Sequence, residues 1–262
     1  MLKKAVSLFA LVVIASLITH EVKAQSIASR VASVRDGKVR LTFASRPEVC
    51  GGGNWISRGG NSRMNWSNDQ SADVIYDEEC SHSPVRLVLF VDNGHVTKLR
   101  TYVGGRWRPA SSETVDLGTV STRDATNYLL SLASSDTRVG REAIMPATLA
   151  DSVTIWPQLF RIARTESVSS STRKQATFWL AQAASDAIAP EHYTRGRESD
   201  DTEVKKQVVF ALSQRRNGEA VPALIQVARN NRDPEVRRTA LFWLGQSGDT
   251  RAVSLFEEIL SK

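Results

Sequence analysis

Residue types that commonly carry enzyme chemistry are scarce in this sequence. The 262 residues include 2 cysteines and 4 histidines, and no histidine pair has the HExxH spacing of a zinc protease. The segment GQSGD lacks the spacing of a nucleophile elbow, and CGGGN lies among strand and coil signals rather than before a helix. We therefore expect no catalytic site, no cofactor and no enzyme activity, and an enzyme built on scattered carboxylates is the alternative left open.

Long apolar runs are also absent, except at the beginning of the chain. Two lysines precede the apolar residues 5–18, and VKA precedes Gln25. These are the three parts of a secretory signal peptide. A membrane-spanning helix needs about 20 apolar residues, and this run ends at His20. We expect residues 1–24 to be removed and the mature chain to be periplasmic or secreted, and not embedded in a membrane.

The excess of positive charge is small. Lysine and arginine exceed aspartate and glutamate by a formal net charge of +6, and the basic residues are dispersed along the chain. This balance favours solubility and is compatible with contact to anionic polymers of a cell envelope. It does not indicate a nucleic-acid partner, which needs a denser basic surface.

Both cysteines, Cys50 and Cys80, lie in the first half of the chain. In an oxidising compartment such a pair predicts a disulfide bond. The bond would close a loop rich in glycine, asparagine and serine, and it would stabilise the fold by roughly 3–4 kcal/mol. A metal site formed with His82 and His95 is the alternative, but the tight spacing of zinc ligands is missing and we expect no metal.

The composition changes near Gly118. Before it, KVRLTFA from Lys38 and the later VRLVLFV read as strands, and the Asn-Gly pair that begins at Asn93 predicts a tight hairpin. SIASRVASV, ahead of the first strand, suits a helix or a strand. We therefore predict a small disulfide-tied α+β domain with an antiparallel sheet over residues 25–118.

The second half of the chain repeats itself. The hexamers TFWLAQ, VFALSQ and LFWLGQ end at Gln182, Gln214 and Gln246, which are 32 residues apart. A fixed period of this length is typical of stacked supersecondary units. Apolar residues recur at helical spacing around the second and third hexamers, which predicts amphipathic helices, and Asp201 and Asp233 stand where their N-caps belong.

These motifs resemble HEAT repeats. DTEVKKQ and DPEVRRT match the first helix of such a repeat, and VPALIQVAR and WPQLFRIAR match the second. The pattern is similar to short repeats of the lyase-associated type and to exported bacterial HEAT-repeat proteins with no established activity, and it covers residues 141–262 well. The resemblance implies an all-α solenoid of about four helical-hairpin units over residues 119–262, which serves as a non-catalytic binding or scaffold surface.

The same resemblance implies where a partner binds. In HEAT arrays the second helices line the concave side, which usually holds the partner. Arg161 and Gln226 fall in register outside the apolar stripe of those helices, and Arg164 and Arg229 follow them. These four residues are the predicted site for a protein partner.

A second candidate site lies in the loop between the cysteines. Trp55 and Trp66 stand there near Arg58 and Arg63, and aromatic faces beside guanidinium groups can hold a sugar ring or an acidic polymer. This is the alternative function, carbohydrate or envelope-polymer binding. Packing of the indoles over the small sheet is the competing interpretation and the preferred one.

Two further features of the repeats have alternative explanations. Basic pairs such as Arg237 and Arg238 recur every 32 residues, and they form either an exposed basic ridge or, as preferred, ties between neighbouring units. Residues 187–201 interrupt the repeat with few apolar residues and many charges. That segment is either a degenerate repeat or a recognition loop.

We expect the exported protein to begin at Gln25 and to contain the oxidised cysteine pair. Intact-mass measurement of the secreted or periplasmic chain checks both features, because the bond makes the chain lighter by the hydrogens lost in forming it. Thiol labelling after denaturation without reductant should modify neither cysteine. A chain that still begins at Met1, or that labels at both Cys50 and Cys80, would contradict the corresponding expectation.

Overall fold

The structure is a computed structural model, and it describes residues 26–52, 55–58, 63–65, 73–76, 84–135, 138–187, 206, 209–210, 212–214 and 220–262. The predicted signal peptide, Trp66, Cys80 and residues 188–201 lie outside these residues, so the expectations for them stay predictions. Among the described residues, no helix has the length and apolar character needed to cross a membrane.

The first half of the described chain is built mainly of strands. In chain order they are β1 (Gly37–Phe43), β2 (Val49–Gly52), β3 (Trp55–Arg58), β4 (Arg63–Asn65), β5 (Val74–Ile75), β6 (Val85–Asp92), β7 (His95–Val103), β8 (Arg106–Trp107) and β9 (Thr114–Thr119). They form a four-stranded sheet in the order β7-β6-β1-β9, a three-stranded sheet β2-β3-β4 and a two-stranded sheet β5-β8.

The second half is helical. One short helix, α1 (Ile27–Ala32), precedes the sheet, and the others are α2 (Thr122–Ala133), α3 (Arg138–Thr148), α4 (Trp156–Arg164), α5 (Ser170–Ala187), α6 (Ala220–Asn230), α7 (Pro234–Ser247) and α8 (Thr250–Leu260). Between α5 and α6, the described residues Lys206, Val209, Phe210, Leu212 and Ser213 are also helical.

Local signals correctly predicted two strands and the hairpin that follows the second. The predicted strands are β1 and β6, and the turn between β6 and β7 places Asn93 and Gly94 at φ 50° and 76°, the left-handed values that a tight hairpin requires. The ambiguous first segment forms helix α1. Ser26 is its N-cap, and the side chain of Ser26 accepts a hydrogen bond from the backbone N–H of Ser29. The expectation of a wholly antiparallel sheet is wrong, because β9 pairs parallel to β1.

A continuous apolar core joins the sheet to the helices. Val39, Leu41 and Phe43 point from β1 into the same buried cluster as Leu129 of α2 and Ile144 of α3. The sheet ends at β9 and the helices begin at α2, so the change in secondary structure falls close to Gly118. The division into two domains at that residue stays a prediction.

The hexamer repeat marks a close contact between helices. Helices α5 and α7 hold its first and third copies and pack directly against each other. A Cβ built on Gly245 would lie 2.5 Å from the Cβ of Ala181 and 3.4 Å from the Cα of Phe178. The fifth positions of the two copies therefore meet, and the backbones approach so closely that a side chain at 245 has no room.

The contact between α5 and α7 departs from a regular solenoid. In such a solenoid, the repeat unit that holds the middle hexamer would lie between α5 and α7. The described part of the middle copy lies beside α7 instead, with the rings of Phe210 and Trp243 at 5.1 Å between centroids. Phe210 and Phe242 keep 48% and 38% of their surface exposed. The predicted solenoid is therefore not confirmed, although its helices are present.

The outer face of the four-stranded sheet carries a small second core and a partly buried carboxylate. Val74, Val88 and Tyr102 form that core, and Asp73 accepts hydrogen bonds from the Tyr102 hydroxyl at 2.8 Å and from Lys38 Nζ at 3.1 Å. Arg100 Nη1 lies 3.3 Å from the same carboxylate. Burial alone would raise the pKa of Asp73, but these hydrogen bonds and the charges of Lys38 and Arg100 outweigh burial and lower it.

We expect Gly245→Ala to lower the free energy of unfolding by about 1–3 kcal/mol, because the new methyl group would overlap Ala181. Alanine is otherwise the better helix former by roughly 0.5–1 kcal/mol, so the sign itself is diagnostic. Urea unfolding measures it. Adding Ala181→Gly should recover part of the loss, and the exposed control Gln246→Ala should stay within about 0.5 kcal/mol. A Gly245→Ala chain as stable as the wild type would contradict the close approach.

We also expect Asp73→Asn to lower the free energy of unfolding at pH 7 by about 1–3 kcal/mol, since it removes a charged acceptor. The pKa of Asp73 is lowered in the folded state, so its contribution is present above the unfolded value near pH 4. The difference from wild type should therefore shrink as the pH falls below about 4. Urea unfolding at several pH values tests this, with the exposed Glu113→Gln as control. A difference that does not change with pH would refute the charged role.

Candidate protein-binding surface

The predicted partner-binding residues lie on two amphipathic helices. Helix α4 begins with Trp156 and Pro157, which suits its first turn, and it buries Leu159 and Ile162. Arg161 and Arg164 stand on the opposite, exposed side of α4. Helix α6 repeats this arrangement: Leu224 and Ala228 are buried, and Gln226 and Arg229 are exposed.

Helix α8 makes an ion pair with each of these two helices. The Nη2 atom of Arg164 lies 2.5 Å from Oε2 of Glu257, and the Nη2 atom of Arg229 lies 2.6 Å from Oε2 of Glu258. The hydrogen bond from Arg164 lowers the pKa of Glu257. The structure thus places α4, α8 and α6 on one side of the helical part, and two of the four predicted residues are engaged in ion pairs there. Exposed pairs of this kind contribute about 0–1 kcal/mol each.

Arg161 differs from the other arginines of this surface. Its side chain is exposed and has no ion pair with any described residue. It stands between two open grooves. The first has a volume of about 400 Å³ and is formed with α2 residues that include Leu130 and Ser131. The second has a volume of about 560 Å³ and is formed with the end of α8.

The second groove, between α4 and α8, has an apolar wall and a charged rim. Trp156, Phe160 and Leu260 line it, with Arg161 and Arg164 at the rim. The guanidinium of Arg164 lies 5.8 Å from the centre of the Phe160 ring, and that of Arg46 lies 5.5 Å from the centre of the Trp156 ring. An apolar wall beside the exposed Arg161 suits a peptide segment that carries a carboxylate.

Gln226 lies on the far side of this surface. Its Oε1 atom accepts a hydrogen bond from Nδ2 of Asn230 at 2.8 Å, one helical turn later. The side chain is exposed, and this hydrogen bond joins it to a residue of its own helix. It lines neither groove beside α4, so the structure does not bring Gln226 together with Arg161.

The tryptophan loop gives a different result. The indole of Trp55 lies over Gly52, where a Cβ would be 3.1 Å from its Nε1 atom, and the guanidinium of Arg58 lies 5.0 Å from the centre of the Trp179 ring. Both side chains therefore make packing contacts. Arg63 lies in β4, and Trp66 lies outside the described residues.

The cysteines and histidines supply no further site in the described residues. Cys50 lies in β2, whereas its predicted partner Cys80 and the possible ligand His82 lie outside the described residues. His95 begins β7. Within the described ranges, no group of three or more His, Cys, Asp or Glu side chains is placed to hold a metal ion.

The repeated basic pairs make structural contacts. Nη1 of Arg237 donates to the backbone oxygens of Asn231 at 2.9 Å and Arg232 at 3.1 Å, and Arg238 pairs with Glu235 at 2.7 Å. Arg237 thus satisfies carbonyl groups just after α6, where a helix leaves its last acceptors free. Arg237 thus joins α7 to the segment before it, whereas the contact of Arg238 lies within α7. The interpretation of the basic pairs as ties between neighbouring units stays a prediction.

Sequence reasoning missed Glu257, the two ion pairs made by α8 and the apolar wall of the second groove. Glu257 and Arg164 are 93 residues apart in the chain, so no local pattern joins them. Phe160 and Leu260 are 100 residues apart in the chain, and no local pattern joins them either. Their position beside a common groove depends on how α8 packs on α4.

Comparison with known proteins agrees with the repeat pattern. A family model described as HEAT repeats matches residues 194–262. Neither a curated protein nor a solved structure matches the chain. The matched residues include the described helices α6, α7 and α8, and the comparison therefore supports a protein that contains HEAT repeats at least in this part of the chain.

Proposed function

We propose that this protein is an exported, non-catalytic scaffold protein that binds a protein partner through the surface of α4, α8 and α6. HEAT repeats are commonly interaction scaffolds, and the match to residues 194–262 supports such a role. The proposal includes secretion or transport to the periplasm, which rests on the charged, apolar and small-residue segments at the beginning of the chain.

The observation that carries this proposal is the state of Arg161. Arg164 and Arg229 of the same surface pair with Glu257 and Glu258. Arg161 is exposed beside two grooves and has no such partner among the described residues. Arginine beside an apolar groove is a frequent anchor of protein interfaces.

The groove between α4 and α8 defines the chemistry of the partner. Its apolar wall suits a hydrophobic side chain, and Arg161 at the rim suits an aspartate, a glutamate or a chain terminus. An extended segment with an apolar residue next to an acidic one fits both features. The tryptophan loop fits a ligand less well, because Arg58 contacts Trp179 and Trp55 covers Gly52.

We expect Arg161→Glu to weaken partner binding by about 1–3 kcal/mol, or roughly 5- to 150-fold. Capture from the native envelope by wild-type chain, followed by measurement of the affinity of the captured protein, tests this. Arg123→Glu, which changes an exposed arginine of α2 by the same charge, is the matched control. Both variants should keep the wild-type free energy of unfolding within about 0.5 kcal/mol.

The fourfold variant Arg161→Ala, Arg164→Ala, Gln226→Ala and Arg229→Ala then tests the surface as a whole. It should bind no better than Arg161→Glu. A partner that both of these variants hold as tightly as the wild type would show that binding occurs elsewhere, and the tryptophan loop would then be the next candidate.

A further inference from the structure

The outer face of the four-stranded sheet carries rows of cations that the scaffold function does not use. Outward positions alternate with buried ones along each strand, so Lys38 and Arg40 of β1, and Lys98 and Arg100 of β7, share this face. In register, Lys98 lies opposite Phe90 of β6, and Phe90 lies opposite Lys38.

Three cations surround one aromatic ring. Nζ of Lys38, Nζ of Lys98 and Cζ of Arg100 lie 5.3, 5.5 and 5.2 Å from the centre of Phe90. Each contact is favourable for the ring, but the three positive charges repel one another. Asp73 balances two of them, Lys38 and Arg100.

The remaining charge of this cluster, on Lys98, has no acidic partner among the described residues. Lys98 is exposed and has no ion pair with a described residue. The Nε atom of Arg100 is buried and has no hydrogen-bond partner. A buried donor without an acceptor is unfavourable by about 1–3 kcal/mol, but an anion in solution does not reach this atom, so exposed Lys98 is the group that can interact with one.

Other cations of the same face make contacts within the fold, and they are therefore structural. Arg40 binds Asp116 at 2.7 Å and the backbone oxygen of Arg108 at 2.8 Å. Arg86 donates to the backbone oxygens of Gly104 and Gly105. The exposed cation that the described fold does not use is therefore Lys98, beside Phe90.

A shallow cleft of about 160 Å³ extends this cationic row. Lys38, Arg108, Ser111 and Thr114 are among its lining residues. The hydroxyl groups of Ser111 and Thr114 lie 2.9 Å apart, and either can turn toward a ligand. Charge on one side and hydroxyl groups on the other suit a ligand that carries both anionic groups and hydroxyls.

We propose that this outer sheet face binds an anionic polysaccharide. Lys98 and Lys38 lie two strands apart, about 10 Å across the sheet, a spacing comparable to the length of a disaccharide. The cations that surround Phe90 already occupy its face, which leaves little room for the base stacking that single-stranded nucleic acids use. The site lies on strands, far in sequence from Arg161, and is independent of the proposed protein-binding surface.

Hyaluronate is a suitable probe because it carries one carboxylate in each disaccharide. We expect the full mature chain to bind hyaluronate with an affinity that falls as salt rises, and not to bind neutral dextran. Lys98→Glu with Arg108→Glu should weaken binding by about tenfold or more. The control Arg123→Glu with Arg141→Glu, which makes the same charge change on exposed positions of α2 and α3, should change affinity by less than about twofold.

A single neutral substitution tests the same face if the double charge reversal at Lys98 and Arg108 disturbs the fold. Lys98→Gln removes the exposed charge that has no described ion-pair partner, and it should weaken hyaluronate binding by about threefold to fivefold with unchanged unfolding. Equal binding by the sheet-face variants and the wild type would overturn the proposal. Binding of polyglutamate or of single-stranded oligothymidylate as tightly as hyaluronate would also overturn it, since the face would then select charge alone.

Discussion

The contact between Ala181 and Gly245 fixes the arrangement of the helical part. Because no side chain separates the backbones at Gly245, α7 lies close against α5. Helix α8 follows α7 after the turn at Gly248 and reaches both α4 and α5. The ion pair between Arg164 and Glu257, and the groove beside it, are consequences of that position. A bulkier residue at 245 would move the helix that forms one wall of the groove.

Local sequence signals predicted elements well and their long-range arrangement less well. The Asn-Gly turn and the alternation of β1 and β6 depend on neighbouring residues, and both appear as expected. The parallel pairing of β9 with β1 depends on residues more than 70 positions apart, for which the sequence has no local marker. The 32-residue period identified the helices that meet, but it could not show that the first and third copies are in direct contact.

The same distinction explains the outcome for the candidate sites. Exposure of Arg161, Arg164, Gln226 and Arg229 followed from the helical period, and the structure agrees. The partners Glu257 and Glu258 required knowledge of helix packing. The sequence signals led to no prediction for the sheet face. Strand order was needed to show that Lys38, Lys98 and Arg100 converge on one ring.

Two arginines of the strand-rich part cover tryptophan rings of the helical part. Arg46 lies over Trp156, Arg58 lies over Trp179, and the apolar core continues beneath both contacts. The strand-rich and helical parts therefore share surface that neither would bury alone. Neither part is an interchangeable module: recombination that joined these strands to the helices of another protein would leave two indoles uncovered and a core face open to water.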